Sequence, residues 1–70
     1  MTPAQIISSL TAKIATAGNV AMIDCAHDFA RGAIYTLHNL GLITIDTWRL
    51  ATDECELLAE RQLTEVGGSA

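Results

Sequence analysis

Apolar side chains recur at helical spacing in three successive segments of this 70-residue chain. In the first segment they are three or four residues apart, which places them on one face of an α-helix. Thr2 fits the N-cap, Pro3 fits the first helical position, and Gln5 completes a capping box with Thr2. We therefore predict a first helix over about residues 3–17. Its apolar face consists of Ile6, Ile7, Leu10 and Ile14.

A break near Gly18 separates the first helix from the second. If the first apolar stripe continued by helical steps, it would run onto Asp24 and Asp28. A single straight helix would therefore have to change its buried face midway. We predict a second helix over about residues 20–40, with one long bent helix as the alternative. Its apolar stripe consists of Ile23, Ala26, Ala30, Ala33, Ile34 and Leu37.

The apolar arc of the second helix is wide enough to contact two neighbouring helices. Met22, Phe29 and Leu40 lie on one flank of that arc. Gly32 is costly in mid-helix, by about 1 kcal/mol relative to alanine. It fits a close helix crossing, or it is simply tolerated, and the sequence favours neither interpretation.

The segment around Gly41 predicts a tight turn between the second and third helices. Gly41 is suited to a left-handed cap, Leu42 can contact Leu37 as a Schellman motif requires, and Thr44 can cap a helix over about 45–65. So short a turn makes its two helices antiparallel neighbours. We predict an all-α fold, consisting of an N-terminal helix and an antiparallel helical hairpin (two to three helices). A single helical domain would span 1–66, with a flexible tail at 67–70.

The third helix carries leucines on two faces. Leu50 and Leu57 lie seven residues apart, nearly opposite the core stripe, among charged residues that include Arg61. The first helix or a second subunit would cover such a face. We predict a homodimeric bundle with Leu50, Leu57 and Arg61 in self-association. The predicted core stripe is Ile45, Trp48, Ala51, Cys55, Leu58, Ala59 and Gln62.

A polar stripe follows the other flank of the second helix. Its members are Asp24, His27, Arg31, Tyr35 and His38. Tyr and Arg are enriched at the energetic centres of protein interfaces. We predict a partner-binding surface made of Asp28, Arg31, Tyr35 and His38. The alternative is an ordinary solvated face with local ion pairs such as Asp28–Arg31.

Eight acidic and four basic side chains give the chain a net charge of −4. This balance disfavours direct binding to nucleic acid or to anionic membranes. Arg49 and Arg61 are the only bases of the third helix, so a DNA-reading helix-turn-helix is also disfavoured. The chain lacks an apolar run of the length needed to span a membrane and a basic leader segment, so we expect it in the cytoplasm.

The two cysteines and two histidines do not predict a catalytic or metal site. Cys25 and Cys55 each occur singly within a helical pattern, and we expect both to be buried thiols in a reducing compartment. Cys25 and His27 point to different sides of one helix, so they cannot share an ion. We expect no enzymatic activity, no metal and no cofactor.

The turn from Leu40 to Thr44 and the amphipathic helix from Trp48 to Leu63 resemble small, acidic, helical proteins of phage and prophage early regions. That group includes anti-CRISPR proteins and quorum-sensing anti-activators, among them dimeric helical proteins that bind a LuxR-type regulator. The resemblance covers about residues 32–63 and implies an inhibitor of a host protein, with no residue roles to carry over. A regulatory or antitoxin-like subunit that folds only within a complex is the alternative.

Overall fold

The computed structural model describes residues 1–67 and contains three α-helices: α1 (Pro3–Ala15), α2 (Val20–Asn39) and α3 (Ile45–Gly67). The described residues include no strand, which confirms the predicted all-α class. Each helix contacts the other two, forming an elongated three-helix bundle of 43 × 20 × 15 Å. Gly67, placed in a tail by the sequence, is the last residue of α3. The rest of that predicted tail, 68–70, lies outside the described residues.

The predicted capping box begins α1. The Thr2 hydroxyl oxygen accepts a 3.2 Å hydrogen bond from the backbone N–H of Gln5. In return, the Gln5 side-chain oxygen accepts a 2.8 Å hydrogen bond from the backbone N–H of Thr2. A cap of this kind stabilises a helix by about 1 kcal/mol. Two otherwise unpaired donors are satisfied, so α1 starts where the sequence predicts.

The backbone is extended between α1 and α2, which excludes one continuous bent helix. Asn19 has φ −152° and ψ 169°, and its side-chain oxygen caps α2 by accepting a 2.9 Å bond from Met22 N–H. Helix α1 ends at Ala15, two residues before the predicted end. The Thr16 hydroxyl donates to the Ala12 carbonyl at 2.8 Å, a local bond that competes with helical continuation.

A Schellman motif joins α2 to α3 as predicted. Gly41 has φ 75°, in the left-handed region that favours glycine. Its N–H donates to the His38 carbonyl, and the N–H of Leu42 donates to the Leu37 carbonyl, both at 3.0 Å. Thr44 then caps α3 by accepting a 3.1 Å bond from the N–H of Thr47. The turn folds α3 back along α2.

The core between the helices is narrow. Its largest fully buried side chains are Ile14, Ile23, Ile34 and Cys55, and the described residues bury no polar side chain. No aromatic ring of residues 1–67 belongs to the fully buried set. The buried set is Leu10, Ile14, Ala17, Ile23, Ala30, Ile34, Leu37, Ala51, Cys55 and Ala59, four of which are alanine.

Several residues placed in or beside the core by the sequence are exposed. Cys25 is exposed because it follows core residue Ile23 by two positions, or roughly 200° around the helix. Ile45 is 50% exposed, since it lies about 80° from Cys55 around α3, at the edge of the core-facing arc. The α2 flank of Met22, Phe29 and Leu40 is also exposed.

Candidate functional site

A groove between α2 and α3 brings together three of the four residues predicted to bind a partner. It has a volume of about 450 Å³. Asp28, Arg31 and Tyr35 line it from α2 because they lie three, four and seven residues apart and so share one face. We call this concavity the α2–α3 groove. Its lining is Asp28, Arg31, Gly32, Tyr35, Trp48 and Thr52.

His38, the fourth predicted residue, supports the wall of this groove. Its imidazole stacks on the Trp48 indole, with ring centroids 5.5 Å apart and 25° between the ring planes. Both side chains are half-buried. The His38 Nδ1 atom is buried and has no hydrogen-bond partner among the described residues. His38 therefore contacts Trp48, which in turn lines the groove.

A second groove lies on the opposite side of the exposed ridge of α2. Its volume is about 510 Å³, and we call it the α1–α2 groove because Ile6 contributes from α1. Asp28 and Gly32 line both grooves. The only Phe of the chain lines this one, while the only Tyr and the only Trp line the other. All three aromatic side chains are thus arranged around Gly32.

Gly32 makes no close helix crossing within this chain. Apart from the adjacent residues and the local backbone of α2, a methyl group added at its Cα would meet no described atom within 4 Å, and the position is exposed. The close-crossing interpretation is therefore wrong for the contacts between α1, α2 and α3. Because Gly32 has no side chain, the exposed ridge of α2 between the two grooves is lowest at this residue.

The sequence did not predict that Trp48, Thr52 and Phe29 would belong to this region. Trp48 was placed in the core stripe, and only the packing of α3 against α2 shows that its ring also faces the groove. Two members of the predicted polar stripe lie elsewhere: neither Asp24 nor His27 lines either groove. His27 is half-buried, and its Nε2 atom has no partner among residues 1–67.

The two thiols differ in environment. Cys55 is buried as predicted, and burial, followed by the negative charge of Glu54, raises the pKa of its thiol. Cys25 was predicted to be buried but is exposed. Within residues 1–67, no group of three or more His, Cys, Asp or Glu side chains is arranged to hold a metal ion.

The residues predicted for self-association stay at the surface of the bundle. Leu50 is 72% exposed and Leu57 is 62% exposed, and Arg61 is exposed as well. Helix α1 packs beside the leucine face of α3 and leaves it open. Leu50, but not Leu57, lines a third concavity of about 850 Å³ between α1 and α3.

Comparison with protein-family models, with curated proteins and with solved structures finds no match to this chain. None of the helices described in residues 1–67 is both long enough and apolar enough to cross a membrane.

Proposed function

We propose that this chain binds another protein through the exposed face of α2, and that it modulates or inhibits that protein by occupying one of its surfaces. The α2 face comprises the α2 ridge and the two grooves beside it. The observation that carries the proposal is the grouping of Phe29, Tyr35 and Trp48 around Gly32. Large rings in a small domain ordinarily fill the core, where each can bury 150–250 Å² of surface.

The large exposed apolar area of the bundle favours binding of a partner over the α2 face. Ten large apolar side chains of the described residues are exposed, as many as the whole set of buried core residues. The accessible surface is 4617 Å², whereas a compact protein of this mass exposes about 4,200 Å². Phe29 is 65% exposed and Tyr35 is 55% exposed, so a partner that covers both would remove much apolar area from water.

The polar groups of the α2 face supply specificity. Arg31 can form paired hydrogen bonds with a partner carboxylate, and Asp28 can accept bonds from a donor. Both lie within one helical turn of Gly32, where a partner side chain can approach the α2 backbone. The stack of His38 on Trp48 holds one wall in place before binding. A preorganised wall reduces the entropy lost on association.

The resemblance to phage and prophage inhibitors favours a host protein, such as a transcriptional regulator or a defence complex, as the partner. The two unpaired cysteines fit a reducing compartment, so we place the encounter in the cytoplasm. Self-association through Leu50, Leu57 and Arg61 stays a prediction.

A regulatory or antitoxin-like subunit, folded only inside a complex, is the second candidate. The narrow core favours it, because a small domain with so few large buried side chains has little stability of its own. Thermal unfolding followed by circular dichroism separates the two. A cooperative transition of the isolated chain supports the free-standing binder, and partial, non-cooperative helicity supports the obligate subunit.

Capture with a matched pair of variants tests the proposed binding face. The immobilised chain, Tyr35→Ala and Glu60→Ala are each exposed to lysate of the cells that carry the gene. Glu60 is exposed on α3 and lines neither groove, which makes it the control. We expect the unmodified chain and Glu60→Ala to retain a protein that Tyr35→Ala does not retain. The helicity of Tyr35→Ala should equal that of the unmodified chain. Equal retention by all three would refute the assignment of this face.

A further inference from the structure

The concavity between α1 and α3 is separate from the α2 face. It is larger, at about 850 Å³, and we call it the α1–α3 groove. The first half of α1 forms one wall, α3 forms the other, and the turn between α2 and α3 closes one end. The lining used below is Ile7, Leu42, Ile43, Leu50, Ala51 and Glu54.

The floor of the α1–α3 groove is apolar, and its rim carries exposed leucines. Ile7 and Ile43 are half-buried and Ala51 is buried. Leu42 is 55% exposed and Leu50 is 72% exposed. Apolar side chains of a partner could contact this floor and the two exposed leucines. Such a groove between two helices suits the apolar face of a third helix.

The lining of the α1–α3 groove carries one charge, on its α3 side. Glu54 is the only charged residue in its lining. Helix α3 carries six of the eight acids and two of the four bases, which accounts for the whole net charge of −4. The α1 wall is uncharged along the groove, where it presents Ser8 and Thr11. A helix lying in the groove would therefore meet the carboxylate of Glu54 on its α3 side and no charged side chain on its α1 side.

We propose that the α1–α3 groove docks an amphipathic helix of another protein, with an apolar face and lysines or arginines along one flank. The apolar face would contact Ile7 and Leu50, and the basic flank would lie beside Glu54. A second copy of this chain fits less well. Its α2 and α3 are both net negative, and its α1, which carries the single Lys13, already packs its apolar face into its own core.

A designed peptide tests this docking mode with the full chain. The probe is a labelled peptide of about 18 residues, long enough to form a helix, with leucines at helical spacing and lysines on one flank. Fluorescence anisotropy measures its affinity. One control peptide has the same composition in scrambled order, and another has glutamate in place of lysine. We expect saturable binding of the first peptide and at least about tenfold weaker binding of both controls.

Exposed residues of α3 provide matched variants. Leu50→Ala should weaken peptide binding by about tenfold, whereas Leu57→Ala, also exposed but outside the groove, should leave it unchanged. Glu54→Lys should shift the preference towards the glutamate peptide, and Glu60→Lys should do so far less. All four positions are exposed, so the fold tolerates the changes.

Three outcomes would overturn the proposal. They are no saturable binding, equal binding of the scrambled peptide, and equal loss with Leu50→Ala and Leu57→Ala. A fourth outcome would come from light scattering. If the free chain is a dimer and Leu50→Ala is a monomer, the groove binds a second copy of this chain. Tyr35→Ala should bind the peptide normally, so this test is independent of the proposed α2 face.

Discussion

The imidazole of His38 stacks on the indole of Trp48, with 5.5 Å between the ring centroids, and joins the end of α2 to the first turns of α3. His38 lies next to the Schellman turn, whose first hydrogen bond is accepted by its own carbonyl. The backbone turn and the side-chain stack therefore fix the same end of the helical hairpin. Because Trp48 also lines the α2–α3 groove, the geometry of the turn determines the geometry of that wall.

Replacing His38 should release Trp48. In His38→Ala we expect the tryptophan emission to shift to longer wavelength and the free energy of unfolding to fall by about 1 kcal/mol, the worth of an aromatic pair. Trp48 is the only tryptophan, so emission reports on this ring alone. His27→Ala is the matched control, since His27 is also half-buried on α2. The same spectral shift in both variants would show that the stack does not position Trp48.

The three helix starts and the end of α2 could be predicted because a local signal determines each of them, whereas the ends of α1 and α3 differ by two residues from the predicted ones. Thr2, Asn19, Gly41 and Thr44 each lie at a helix terminus, where a nearby backbone group requires a hydrogen-bond partner or a left-handed conformation. These requirements involve residues three to five positions apart, so they can be recognised in the sequence itself. The antiparallel pairing of α2 and α3 then follows from the short turn.

The grooves could not be predicted in the same way. Helical spacing places Asp28, Arg31 and Tyr35 on one face, but it gives no information about which α3 residues lie opposite. Trp48 has the periodicity of a core residue and lines both core and groove, which no one-dimensional pattern distinguishes. The exposure of Cys25, in contrast, could have been predicted from its two-residue separation from Ile23.

A long-range hydrogen bond joins α3 to the loop after α1 at the other end of the bundle. The Gln62 side-chain N–H donates to the Ala17 carbonyl at 2.7 Å, between α3 and the loop after α1. Gln62→Ala and Gln62→Met should each lower the free energy of unfolding by about 1 kcal/mol in urea titrations, because both leave this carbonyl without its donor. Methionine keeps the length of the side chain. Full stability of Gln62→Met would mean that packing alone holds α3 there.

The two thiols should react at different rates. In native protein we expect a disulfide reagent to modify the exposed Cys25 rapidly and the buried Cys55 only after unfolding. Absorbance of the released thiolate, followed over time, gives one fast equivalent in the native chain and two in urea. Cys25→Ser should abolish the fast phase. Two fast equivalents in the native chain would show that the core around Cys55 opens readily.

The raised pKa of Cys55 predicts a loss of stability at alkaline pH. The unfolded chain releases the thiol proton at the ordinary thiol pKa, whereas burial keeps Cys55 protonated in the native state to higher pH. Stability should therefore be constant below the ordinary value and fall as pH rises through it towards the raised value. Urea titrations over this range should show a smaller fall for Cys55→Ala. An identical pH dependence would assign the effect to other groups.

Gly32→Ala should separate stability from binding. The added methyl meets open space, and alanine favours the helix by about 1 kcal/mol over glycine, so the variant should be more stable towards urea. The same methyl raises the low point of the ridge between the α2–α3 and α1–α2 grooves, where a partner would approach α2 most closely. Affinity for the protein captured through Tyr35 should therefore fall. Thr64→Ala, an exposed change on α3, supplies a gain in helix propensity away from both grooves. A glycine that is merely tolerated would give higher stability and unchanged affinity in both variants.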